Sequence, residues 1–368
     1  MLFRQSLEIR YRQDLFQSMQ PSSGTVAITP LRADKYIAMS MMQKAIRRGE
    51  YEFAFSAAQN LLNSDSRAFW RRMCIIVFED IGIANLDLVG RITIAAGDSR
   101  LRQKLGGDHI VAATLVSEMC NSEKDRTTDD LLEFVERSAV LRNLRDELAE
   151  LDLRGRLAGA MRNDQRFSHQ ATAAWAASVG LTFEPTKISD RIACPTAYFE
   201  TQIEHGFDRT CVELSKLGLS RSGVPLAIFL PLIGWKLASE QTSASDDPFP
   251  PATLIKGIPS WVFNGHTRTG LAAFREYLTR SPRIKNFVDS NSTKELSKPK
   301  IVASLIFRLE SGQMTKRLHW PTGDHIRVAI EQLGWGIPDE AVSEGNRIIL
   351  DEFDLINDCR ATAAQLYL

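Results

Sequence analysis

The apolar positions of the first half recur at helical spacing. From Asp34 to Arg48, the residues Tyr36, Ile37, Met39, Met41, Met42, Ala45 and Ile46 predict a well-buried helix, and Gly49 ends it. Residues 50–63 predict a second helix through Phe53, Ala54, Ala57, Ala58, Leu61 and Leu62. The polar cluster Asn63-Ser64-Asp65-Ser66 stops that helix and offers a cap for a third, Arg67 to Glu79. The central run of this third helix, Met73 to Phe78, is apolar on every side, which places it at the centre of a core. Asn85 or Asp87 then opens a helix to about Ala96, and further helical segments follow near 108–120, 128–150 and 165–179. Few runs alternate with period two, and the short connections imply antiparallel neighbours.

The remainder is less regular. Residues 1–32 read as an arm in which Arg4, Arg10 and Arg12 stand among apolar residues, with a break at Gln20-Pro21-Ser22-Ser23-Gly24. Residues 181–206 mix turn and helix signals around Pro185 and Pro195. Residues 208–218 read as a helix, and 224–238 as an apolar helix interrupted by Pro231, too short and too broken to span a bilayer. Ser239 to Thr253, rich in Ser, Asp and Pro, reads as a linker. Beyond it, Thr269–Arg280, Lys300–Leu309, Asp324–Leu333 and Glu352–Leu366 look helical. The pattern predicts a mainly α protein: an antiparallel helical bundle or array with a second, smaller, mostly helical C-terminal domain. In linear order this is an arm at 1–32, a helical domain at 33–238, a linker at 239–253 and a C-terminal basic/acidic helical domain at 254–368. No internal repeat or low-complexity tract interrupts it.

Composition narrows the class without naming it. Hydrophobic residues make up 44% and charged residues 24% of the 368, the balance of a folded globular chain rather than a disordered one. The first ten residues hold no apolar h-region, so no signal peptide is expected. The five cysteines (Cys74, Cys120, Cys194, Cys211, Cys359) are dispersed, with no C-x-x-C. They fit reduced, part-buried thiols in a cytoplasm better than a disulfide framework or a zinc site.

Charge changes the picture more. The 45 basic and 45 acidic side chains cancel in total but not along the chain. Arg32–Arg72 is net +4, Asp108–Asp164 net −5, Asn264–Arg317 net +7 and Leu318–Leu368 net −6. The +7 segment supplies Arg268, Arg275, Arg280, Arg283, Lys285, Lys294, Lys298, Lys300, Arg308, Lys316 and Arg317. Such a cluster could neutralise DNA phosphates without sequence preference, with Trp261, Phe263, Tyr277, Phe287 and Trp320 beside it to stack on bases. Equally, the basic and acidic blocks could pair within the fold or between subunits, with the aromatics filling the core.

Motifs of known chemistry are mostly missing. The chain has no G-x-x-x-x-G-K-[ST], no H-E-x-x-H, no G-x-S-x-G and no EF-hand loop, and the residues imply no cofactor and no metal. Arg102-Gln103-Lys104-Leu105-Gly106-Gly107 reads as a loop before a helix capped by Asp108, rather than an anion site. His266-Thr267-Arg268-Thr269-Gly270 could bind a phosphate or carboxylate. The simpler account is a threonine cap on a helix beginning near 270. His319 and His325 are poorly spaced for shared ligation. Glu79-Asp80-Ile81-Gly82 puts two carboxylates at a helix C-terminus, where the dipole disfavours them. Arg71, Arg72 or the next helix N-terminus should compensate in a buried structural cap, with divalent metal binding the alternative.

At this junction the chain resembles a known family. Asp34 to Glu50, then Trp70-Arg71-Arg72-Met73 through Phe78-Glu79-Asp80-Ile81-Gly82-Ile83-Ala84-Asn85, resembles the C-terminal region of the RarA/MgsA ATPases. The similarity covers about residues 33–120, with an insertion around 60–67, and the family's AAA+ module has no counterpart here. The resemblance implies a helical scaffold that assembles, with a homo-oligomer as one form, and is linked to DNA replication or repair. It carries over Glu79, Asp80 and Gly82 as a fold determinant, not as a catalytic site. The expectation is a cytoplasmic, non-catalytic scaffold or adaptor that binds DNA or a replication or repair protein, and no membrane. The alternative is an oligomeric interaction subunit of a mobile-element or phage-defence complex without direct DNA binding. A third possibility, an enzyme using His266, Arg268, Glu79 and Asp80, requires the fold to bring these groups together.

Overall fold

A computed structural model describes residues 2–19, 29, 31–162, 166–180 and 192–368. The break at 20–24 and Pro185 lie outside the described residues. The chain is predominantly helical, an array of helices in keeping with the antiparallel plan. Strands among the described residues are confined to two short antiparallel ladders, Ser243–Ser245 with Arg317–His319 and Leu254–Ile255 with Ile258–Pro259. No described helix is long and apolar enough to cross a membrane.

The helices form where periodicity and caps agree. Asp34 accepts hydrogen bonds from the amides of Tyr36 (2.7 Å) and Ile37 (3.0 Å), opening Lys35–Arg48, and Gly49 closes it in the left-handed region at φ 71°. The second and third predicted helices run together as Tyr51–Ile76, but the expected break is present as a kink. Asp65 leaves helical geometry there (φ −159°, ψ 88°) and its carboxylate caps the amide of Ala68 at 2.9 Å.

The chain divides into two units, each assembled from separated stretches. One comprises Met1–Ser23, Trp70–Ser245 and Lys316–Ile330. At its centre Met73, Cys74, Ile76, Val77 and Phe78 are wholly buried, as their all-round apolar run predicts. The segment expected to be an arm holds the helix Leu2–Ser18, which packs on Leu86–Gly97 through buried Leu7, Tyr11 and Leu15. The i, i+4, i+8 spacing of these three makes one apolar stripe. Gly90 is required here, because the Tyr11 ring occupies the space its Cβ would need.

The second, smaller unit comprises Gly24–Phe69, Asp246–Thr315 and Glu331–Leu368. Arg268–Arg280 packs on Phe353–Tyr367, and Phe274, Tyr277, Ile284, Val288, Ile301 and Ile356 form its core. Residues 34–48 belong to this unit rather than to a continuous domain at 33–238. Ser40 Oγ donates to Val262 O at 2.8 Å, Arg47 Nη1 donates to Ser311 O at 2.7 Å and Thr315 N donates to Arg47 O at 2.8 Å. One boundary between the units falls at 245/246. The chain is ordered on both sides of it. Ser243–Ser245 is a strand of the first unit, and in the second the amide of Asp247 donates to Met314 O at 3.0 Å.

Candidate functional site

Apart from Arg268, the basic residues of 264–317 fall into three groups. The side chains of Arg275, Lys294 and Lys300 are exposed and have no ion-pair or hydrogen-bond partner among the described residues. Arg280, Arg283, Lys285 and Lys298 are exposed but engaged: Arg280 with Glu276 (3.5 Å), Arg283 with Asp351 (2.8 Å), and both Lys285 and Lys298 with the single carboxylate of Asp289 (2.7 and 2.5 Å). The two lysines hold the Asp289 carboxyl below its usual range. The third group is structural. Arg308 Nη2 donates to Leu333 O, Lys316 Nζ donates to Asn121 O at 2.9 Å, and Arg317 is buried in its strand. Arg317 and Lys316 belong to the first unit, the rest to the second. The aromatics named beside this segment (Trp261, Phe263, Tyr277, Phe287, Trp320) are buried core residues, so base stacking on them is not available.

The most buried ion pair of the second unit reverses the linear charge pattern. Arg360, from the acidic tail, grips Glu310, from the basic segment, through two bonds of 2.9 and 2.6 Å, both side chains essentially inaccessible. Lys44 lies in the same buried group and donates to Trp261 O. Burial drives its pKa well below the ordinary 10.5; Glu310 opposes this, while Arg360, Arg47 and Arg48 add to it.

His266-Thr267-Arg268 forms a cap. Thr267 Oγ1 accepts from Gly270 N at 3.0 Å and donates to Asn264 O at 3.0 Å, opening the helix at Arg268. The Arg268 guanidinium lies over the Tyr367 ring at 4.7 Å. His266 and Arg268 lie in the second unit and Glu79 and Asp80 in the first, so neither unit holds the four groups of the enzyme reading.

The Glu79-Asp80 junction is compensated by Arg126, a residue outside the expected candidates. Val77–Ile81 forms a wide π-helical turn. Arg126, fully buried, donates from Nη1 to Asp80 (2.6 Å) and Glu79 (3.2 Å) and from Nη2 to Asp129. Burial alone would lower the pKa of Arg126. Asp129, Asp80, Glu79 and Asp130 together outweigh it and hold the guanidinium well above its ordinary range. Thr128 Oγ1 donates to Phe78 O at 2.5 Å, closing the turn. Gly82 follows at φ 49°, its Cα facing the backbone of Asp125, whose carbonyl oxygen a Cβ would meet at 3.0 Å. Asp125 is buried, with Oδ1 accepting from Thr127 (2.7 Å) and Trp320 (3.3 Å) and Oδ2 without a partner. Burial pushes its carboxyl up to about 6, with Asp130 adding to the rise and the Thr127 and Trp320 bonds opposing it. Among the described residues no three His, Cys, Asp or Glu side chains are placed to hold a metal ion. The Arg102–Gly107 turn also differs from expectation. Asp108 does not cap; Gly107 takes that position, and Asp108 receives Arg102 Nε at 2.8 Å.

One constellation has no sequence signature. Ser245 Oγ is 2.9 Å from His319 Nε2, and His319 Nδ1 is 3.0 Å from Asp324 Oδ1. Ser245 and His319 stand 74 positions apart and meet only because the strands Ser243–Ser245 and Arg317–His319 pair.

Comparison with known protein families, with curated proteins and with solved structures finds no match to this chain.

Proposed function

We propose that the chain is a helical scaffold or adaptor associated with DNA replication or repair. In this reading the second unit contacts the phosphates of DNA and performs no chemistry on them. The observation that carries it is the free positive charge of the 268–300 surface. The side chains of Arg275, Lys294 and Lys300 are exposed and without partners among the described residues, and Lys285 and Lys298 share one carboxylate. Exposed pairs of this kind are worth ~0–1 kcal/mol, so a phosphate can displace them at little cost. The buried aromatics leave phosphate contact without base stacking, which is sequence-independent and salt-sensitive. The resemblance of residues 33–120 to the helical region of a clamp-loader-like ATPase family supports the replication or repair setting.

The exposed pair Arg283–Asp351 joins the basic segment to the acidic tail inside one unit, whereas Arg360–Glu310 pairs the minority charge of each. The scaffold reading is preferred to that of a charge-assembled interaction subunit because Arg275, Lys294 and Lys300 stay open to phosphate.

The test is fluorescence anisotropy of labelled duplex and single-stranded DNA from 20 to 300 mM salt. Affinity should fall log-linearly with salt, and each lost phosphate contact should flatten the slope by roughly 0.9 on duplex DNA. Arg275→Glu, Lys294→Glu and Lys300→Glu should weaken binding equally for unrelated sequences. Absence of binding at low salt, or unchanged affinity in the triple variant, sinks the proposal.

A further inference from the structure

Ser245 and His319 sit at the ends of paired strands. The antiparallel register sets Ser243 opposite His319 and Ser245 opposite Arg317, so Ser245 and His319 share a face one diagonal step apart. Asp324 belongs to the first turn of the helix Pro321–Gln332, which begins two residues after His319. The carboxylate of Asp324 accepts from His319 Nδ1, which places the ring proton on Nδ1 and turns the lone pair of Nε2 toward the Ser245 hydroxyl. Arg327 Nη2 lies 3.6 Å from the same oxygen, Oδ1 of Asp324. Ser245 itself is exposed. The order nucleophile, base, orienting carboxylate is defined by atoms and roles rather than by a sequence motif, and so is independent of any G-x-S-x-G.

We propose that Ser245, His319 and Asp324 form a hydrolytic site for carboxylic esters that bear a negative charge. Ser245 Oγ bonds to the ester carbonyl carbon as its proton passes to His319 Nε2. The C–O bond to the alcohol then breaks, and the alcohol leaves with that proton. A water molecule attacks the acyl-serine in turn, giving its proton to Nε2, and the acid departs as the serine hydroxyl is restored. Asp324 is a positioning residue, holding the imidazole in the required tautomer.

The preference for an anionic ester comes from a cavity of 470 Å³ along the first two turns of the same helix. Arg166, Phe167, Lys236, Thr322, His325 and Ile326 line it. Lys236 is paired with Glu240 at 3.2 Å, whereas the Arg166 side chain has no partner among the described residues. The volume suits a small molecule, Phe167 and Ile326 offer an apolar wall, and the Arg166 guanidinium offers a free cation.

The site goes beyond the scaffold reading and is tested without DNA. The full chain is mixed with 4-nitrophenyl acetate and with the monoanionic 4-nitrophenyl succinate, and separately with a fluorophosphonate probe. The expected result is a burst of one nitrophenol per chain, with the probe mapped to Ser245 by mass spectrometry. The succinate should react with the higher kcat/KM, and Arg166→Gln should abolish that advantage. Ser245→Ala and His319→Gln, each checked for an unchanged circular dichroism spectrum, should lose both burst and labelling. Asp324→Asn should lower kcat by ~100-fold or more with KM unchanged. Hydrolysis that persists in Ser245→Ala, or a probe attached elsewhere, overturns the site. Equal kcat/KM for the two esters overturns the assignment of the cavity.

Discussion

At the scale of single residues, the buried carboxyl of Asp125 gives the sharpest consequence. Its pKa of about 6 in the fold stands above the ordinary 3.8. A carboxyl raised in this way contributes its full stability below pH 3.8 and loses that contribution as pH rises through 6. The shift corresponds to about 3 kcal/mol between the two limits. Asp125→Asn keeps an oxygen for Thr127 and Trp320 and removes the titration. The stability of the variant relative to the parent should therefore rise by up to about 3 kcal/mol between pH 4 and pH 7. Urea unfolding at the two pH values measures this, and a difference independent of pH would show that Asp125 does not titrate in the fold. Lys44 obeys the opposite rule. A lysine with a lowered pKa costs nothing above its ordinary 10.5, and its penalty grows as pH falls below that value.

At the scale of elements, the junction of Val77–Ile81 with Thr127–Arg137 is bridged by a buried cation. Arg126 neutralises Glu79, Asp80 and Asp129, and Asp80 has no access to water. Arg126→Met takes the guanidinium away from these carboxylates, of which Asp80 is wholly buried, and should cost about 3–5 kcal/mol at neutral pH. Thermal melts of variant and parent at neutral pH measure the loss, and an unchanged melting temperature would show that the junction does not rely on Arg126. Glu79 and Asp80 at a helix end announced that a counter-charge was needed. They did not announce which, because Arg126 lies 46 residues from Asp80 and shares no local pattern with it. The same division runs through the chain. Helices with a periodic apolar face and a polar cap, such as Lys35–Arg48 with Asp34 or Arg268–Arg280 with Thr267, were legible in the residues. The helix Leu153–Ala160 was not: it is short and weakly patterned, and buried Arg156 donates from it to Leu148 O (2.8 Å) and Ala149 O (2.9 Å). Those bonds serve the carbonyls that end Arg142–Glu150, a tertiary interaction with no local periodicity. The link of Ser245 to His319 and Asp324 was hidden for the same reason, since strand pairing brings Ser245 to them.

At the scale of the molecule, the discontinuity of the units matters more than their size. A linear division at 239–253 makes the C-terminal segment a domain able to fold alone. In the structure that segment lacks a part of its own unit. Lys44 and Ser40 bond to the carbonyls of Trp261 and Val262, and Arg47 both donates to Ser311 O and accepts from Thr315. Without residues 29–69 these carbonyls lose their donors, and an unmet buried acceptor costs ~1–3 kcal/mol. The apolar stripe of Lys35–Arg48, with Ile37, Met41, Met42 and Ala45 wholly or almost wholly buried, is lost as well. Removing several such side chains at ~1.5–3 kcal/mol each exceeds the margin of a domain stable by ~5–15 kcal/mol. A fragment spanning 246–368 should therefore have poorly dispersed amide resonances and no cooperative melt. Addition of a separate 29–69 peptide should restore both, because the missing contacts are non-covalent. A fragment 246–368 that melts cooperatively by itself would show that residues 24–69 are dispensable to the second unit and would favour the linear division.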